Sequence, residues 1–210
     1  MERNKITIIF IGLLTMLPGC YPDGPDYVED LDLVVTQHDT SFDFQTLSTF
    51  AIPDTVVKIT GNLASGEPIE FVNQAYATIV VNSIRENLTN DGWTEVAKNA
   101  NPDVIILPST IQSTTTVYYY DYGYWGWYYP YSYWGWYYPY PIYGGSYTSG
   151  SVFIQMTYPA GQTASDNIPV IWTAILNGLL EGSTSSIQSR VVSGINTSFQ
   201  ASPYLNLNNE

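Results

Sequence analysis

The sequence predicts an α+β fold, a two-layer sandwich in which a mostly antiparallel sheet carries two helices on one face, with an aromatic low-complexity loop inserted. Helical stripes and apolar strand segments carry that prediction. Val72, Tyr76, Val80, Ile84 and Leu88 recur every four residues, and so do Ile187, Val191, Ile195 and Phe199. That spacing places each set on one face of a helix. Val104-Ile105-Ile106-Leu107, Val152–Tyr158 and Ile168–Leu176 read as strands, and the order strand, helix, strands, helix is that of a sheet with its helices gathered on one face.

In chain order, Ser41-Phe42-Asp43-Phe44 and Ser48–Ile52 form the first strand region, closed by Pro53-Asp54. The first helix is expected from Pro68, a residue suited to a first helical turn, to the stop signal Asn90-Asp91-Gly92. After Asn101-Pro102-Asp103, the continuous apolar run Val104–Leu107 is expected to be a central strand covered on both faces. Val152, Ile154 and Met156 share one face of the next strand, with Gln155 and Thr157 on the other. Val170, Trp172, Ala174 and Leu176 share a side of its partner, which follows a loop through Pro159-Ala160-Gly161 and Asp166-Asn167. The last helix ends before Pro203.

The amino terminus has a different character. Met-Glu-Arg-Asn-Lys is followed by the apolar run Ile6–Leu17, which has the length of a signal-peptide core and is too short for a spanning helix of about 20 residues. Leu17-Pro18-Gly19-Cys20 then resembles a lipobox, with cleavage expected between Gly19 and Cys20. The resemblance implies a diacylglycerol on the Cys20 thiol and a further acyl chain, such as palmitate, on the new amino group. Two or three chains anchor stably where one holds only marginally. Residues 1–19 therefore read as a lipoprotein signal peptide, 20–37 as an acidic flexible tether and 38–205 as a single domain. Tyr21, in place of Asp after the cysteine, resembles the pattern of sorting to a bacterial outer membrane.

Composition excludes several functions. Formal net charge is −13, and removal of residues 1–19, which carry Glu2, Arg3 and Lys5, leaves −14. The remaining cations, Lys58, Arg85, Lys98 and Arg190, are scattered along the chain, which argues against nucleic acid as a partner. With one cysteine and one histidine, His38, there is no disulfide, no set of zinc ligands and no phosphate-cradling motif, so no metal or cofactor is expected. A Ser-His-Asp triad would need His38 at the edge of the domain, and Asp103 and Asp121 show no spacing that pairs them for acid/base work. The acidic residues Asp23, Asp26, Glu29, Asp30 and Asp32 lack the spacing of a calcium loop. No catalysis is expected.

Phe42-Asp43-Phe44 with Thr49-Phe50-Ala51, the helix ending at Gly92-Trp93, Pro102–Ile106, Ile171-Trp172 and the closing helix before Ser202-Pro203-Tyr204 resemble a lipoprotein family known as domain of unknown function 4136. The resemblance spans residues 38 to 205 and implies a small envelope domain whose activity is itself unassigned. The sequence departs from the family pattern at Gln155-Met156-Thr157-Tyr158, where an acidic residue is common, and after Trp172, where a basic residue is common. Those departures argue against a charged family site being kept there.

Between Tyr118 and Tyr147 stand 14 of the 19 tyrosines and 4 of the 6 tryptophans. The octapeptide Tyr124–Tyr131 recurs identically as Tyr133–Tyr140, separated by Ser132. A run this aromatic exceeds what a domain of this size can bury, at roughly 150–250 Å² per ring. Three uses of the surplus remain open: stacking on cell-wall sugar through Trp125, Trp127, Trp134, Trp136, Tyr128 and Tyr137; contact with the bilayer interface; and packing on the chain's own sheet, with self-association or another envelope protein as partner.

Overall fold

The computed structural model describes residues 33–60, 68–111, 121–130, 132, 135–141, 150–177 and 184–208. Its elements are β1 (Leu33–His38), β2 (Thr49–Ala51), β3 (Val57–Ile59), α1 (Gln74–Asn90), β4 (Thr94–Glu95), β5 (Val104–Ile111), β6 (Gly135–Tyr137), β7 (Ser151–Thr157), β8 (Asn167–Asn177) and α2 (Thr184–Gln200). The strands run in the order β1-β8-β7-β5-β2-β4, with β3 also on β5 and β6 also on β8. The long pairings β1/β8, β8/β7 and β7/β5 are antiparallel. The short flanking strands β2, β3, β4 and β6 join in parallel. The result is the mostly antiparallel α+β fold that the periodicity predicts.

One face of the sheet meets the helices. Val80, Ile84 and Leu88 from α1 and Val191, Ile195 and Phe199 from α2 pack with Ile106, Ile154, Met156, Trp172 and Leu176. The Trp172 indole N–H donates to Ser202 Oγ at 2.9 Å inside this core, satisfying a polar group that burial would otherwise penalise. At the end of α1, Gly92 takes φ +93°, and Trp93 N–H returns to the Leu88 carbonyl at 3.0 Å. This is the left-handed helix stop anticipated from Asn-Asp-Gly.

The opposite face is covered as well. Tyr124, Trp125, Tyr128 and Tyr129 pack with Val57, Ile59, Ile105, Leu107, Phe153 and Ile175 in a second apolar core. The aromatic insertion thus adds a third layer over the sheet, and the continuous apolar run of β5 is explained by cover on both sides.

Some boundaries move. Leu33–His38 is a strand along Trp172–Asn177, so the tether reading of 20–37 is corrected at residues 33–37: the β-branched Val34, Val35 and Thr36 extend the sheet. Residues 1–32, with Gly19 and Cys20, lie outside the described residues. The first helix starts at Gln74, not Pro68, because Asn73 caps it, its side chain accepting from Ala75 N–H at 2.9 Å. The segment before the cap is extended along β3 instead: Lys58 N–H donates to Glu70 O and Val72 N–H to Val56 O, both at 2.9 Å. Finally, Phe44–Thr46 is a 3-10 turn capped by Asp43, so the first strand region is reduced to Thr49–Ala51.

Candidate ligand-binding surface

The residues proposed for stacking separate according to burial. Trp125 is 0% exposed and Tyr128 8%; both rings belong to the second core, which corrects their assignment as stacking residues. Trp136 is half-buried against the same core. Trp127 and Tyr137 are 40% and 49% exposed, and Trp134 lies outside the described residues. Glycine helps to sort them: Gly126 is exposed and an added Cβ there would meet nothing within 4 Å. The turn therefore runs free of the sheet between buried Trp125 and exposed Trp127.

Trp127 is held in place from several sides. Its indole N–H donates to the Tyr124 carbonyl at 3.0 Å, its ring lies at 5.5 Å from Tyr128, and its carbonyl accepts from Lys98 Nζ at 3.4 Å. Phe71, 41% exposed, meets it edge-on at 5.2 Å and 89°. The two rings make an apolar corner. Phe71 reaches this position because the extended segment before α1 pairs it with Val57.

A charged rim borders the corner. Arg85, from α1, bridges the Asp54 carboxylate at 2.6 Å and the Glu95 carboxylate at 2.9 Å. Lys98 Nζ stands 4.9 Å above the Tyr128 ring. Burial pushes the Tyr128 hydroxyl pKa up, and the neighbouring Asp54 and Glu95 carboxylates push it further, so the phenol stays neutral. The pKa of Arg85 rises, because hydrogen bonds to Asp54 and Glu95 outweigh the opposing desolvation. Phe71, Arg85, Lys98, Asp54 and Glu95 escaped sequence reasoning, since they are scattered between residues 54 and 98; only the fold brings Phe71 and Lys98 against Trp127 and sets Asp54, Arg85 and Glu95 near the neighbouring Tyr128 hydroxyl.

The groups considered for catalysis have structural surroundings. His38 stacks on Tyr204 with ring centroids 3.7 Å apart; burial lowers its pKa, and Asp39 opposes that shift only in part. Asp103 Oδ2 accepts from Ser48 N–H at 2.9 Å, Thr49 N–H at 2.8 Å and Thr49 Oγ1 at 2.7 Å. Desolvation acts against the charged carboxylate, yet these bonds prevail and hold its pKa below the ordinary value. Asp103 thereby fastens the start of β2 to the start of β5. A groove of about 750 Å³ runs between the helices and is lined by Gln188, Ser193, Asn196 and Thr197 without a titratable group.

The domain is thus an α+β sandwich with an aromatic cover on one sheet face and an exposed aromatic corner. The chain belongs to the DUF4136 family, a domain of unknown function whose sequence model matches residues 34–204. A crystal structure of a DUF4136 family protein from Bacteroides thetaiotaomicron is similar at 29% sequence identity and a TM-score of 0.68, over 84% of this chain and 98% of that one. A PDZ domain protein from Parabacteroides distasonis shares 16% identity at a TM-score of 0.42, over 81% of this chain and 36% of that one. No curated protein matches the chain. Gln155 and Thr173 stand opposite each other on β7 and β8. Gln155 Nε2 there donates to the Tyr138 hydroxyl at 2.8 Å, an uncharged contact between sheet and cover.

Proposed function

We propose that the chain is a bacterial envelope lipoprotein, held at the outer membrane by acyl chains on Cys20, and that it works by surface contact rather than by catalysis. The observation that carries this reading is the chain's single cysteine, placed directly after Leu17-Pro18-Gly19 and the apolar run Ile6–Leu17. Among the described residues no helix is long and apolar enough to cross a membrane; the anchor in this reading is the lipid. Covalent geometry limits the segment from Cys20 to β1 to about 45 Å when fully extended, which keeps the domain close to the bilayer. Support for a contact role comes from the surroundings of His38 and Asp103, each engaged by neighbours that stabilise the fold.

Replacing Cys20 with Ala and fractionating cells tests the anchor. The variant is expected to leave the membrane fraction, and a variant that stays fully membrane-bound contradicts the reading. A second reading, contact with cell-wall glycan, is favoured by the exposed pair Phe71 and Trp127.

A further inference from the structure

The corner at Phe71 and Trp127 belongs to a ring of neighbours, linked partly by direct contact and partly through the chain. Asp54 binds Arg85, and Arg85 binds Glu95. Three residues beyond Glu95, Lys98 reaches the Trp127 carbonyl. Trp127 meets Phe71, and the Val72–Val56 hydrogen bond brings Phe71 back beside the Asp54 turn. Tyr128 forms the floor, with Trp127 against it and Lys98 over it. An apolar wall thus stands next to hydrogen-bonding groups whose charges balance, two cations against two carboxylates.

We propose that this ring is a binding site for an uncharged saccharide, with a pyranose face stacked on the Trp127 indole and its hydroxyls taken by Lys98, Asp54 and Glu95. The proposal rests on the reading of the chain as a contact protein, and it names the ligand class. A sugar ring has an apolar C–H face and a polar edge, which matches a ring of aromatic carbon beside carboxylate and ammonium groups. Charge separates the other candidates. An anionic polymer gains nothing from a balanced rim and meets a chain of net charge −13. A bilayer would bury four charges along with the indole, at a cost that the two rings do not offset. A second copy brings the same net negative charge.

Calorimetric titration of the full chain, purified in detergent, with chitohexaose and with cellohexaose tests the site. Saturable binding of at least one is expected, about tenfold weaker for Trp127→Ala and for Phe71→Ala. It should be unchanged for Tyr137→Ala, whose ring is more exposed but lies outside the ring of contacts. Asp54→Asn alters a side chain that is 87% exposed, so it leaves folding intact and should still weaken binding severalfold. Absence of saturable heat with both sugars overturns the proposal, as does equal weakening by Tyr137→Ala or binding indifferent to Trp127, Phe71 and Asp54. Transfer of those sensitivities to vesicle binding or to self-association, without sugar binding, likewise overturns it. Shortened oligosaccharides in the titrated sample would instead overturn the non-catalytic reading, and failure of the lipid anchor would appear only in the fractionation of Cys20→Ala.

Discussion

Trp125 and Trp127 are separated by one glycine, and their surroundings differ completely. Trp125 is fully buried among β5, β7 and the rest of the aromatic cover, whereas Trp127 is 40% exposed. Burial assigns the energetic role. Trp125→Ala is expected to cost about 3–5 kcal/mol, because it empties a packed site. Trp127→Ala is expected to cost much less, because a large part of that ring already faces water. Urea denaturation of the two variants checks the order, and equal losses would contradict the arrangement. Nothing in the octapeptide distinguishes the two tryptophans, so this residue-scale difference was not legible in the sequence. It is set by a sheet face whose partners lie far away in the chain.

At the scale of elements, identical sequence takes two structures. The first copy of the octapeptide enters through the 3-10 turn Asp121–Trp125, whereas the second contributes β6, which pairs in parallel with Asn167–Pro169. Tertiary context overrides local preference there. Where periodicity is strong the elements were legible: the first helical stripe from Tyr76 onward, the whole of the second, the run at Val104 and the β7/β8 pair lie where their spacing puts them. Shorter pieces were not. β3 has three residues, too few to show a period, and β1 was hidden by the acidic stretch before it. Asp103, which stands directly before the apolar run of β5, also joins two strands. Its folded pKa lies below its ordinary value, so the fold favours the ionised form. That contribution is complete above the unfolded pKa of about 4 and fades as pH falls through the folded value. Asp103→Ala is expected to cost about 1 kcal/mol near neutral pH. The gap from the parent protein should narrow below about pH 4, as followed by urea denaturation across pH. A gap that widens on acidification would contradict the role.

The whole molecule combines an acidic body, an aromatic cover and a proposed lipid anchor. The cover removes one apolar sheet face from water while leaving Phe71, Trp127 and Tyr137 outside, so the compositional excess is divided between core and surface. The scattered cations become informative only in three dimensions, where Lys98 stands over the Tyr128 ring and Arg85 lies near its hydroxyl. Position near a bilayer, in the proposed reading, rests on the first twenty residues alone. Intact-mass spectrometry of the protein extracted from its native membrane tests that anchor most directly. Lipidation predicts a chain that begins at Cys20 and exceeds its residue mass by a diacylglycerol and a further acyl chain; a chain that begins at Met1, or at Cys20 with a free thiol, would contradict it.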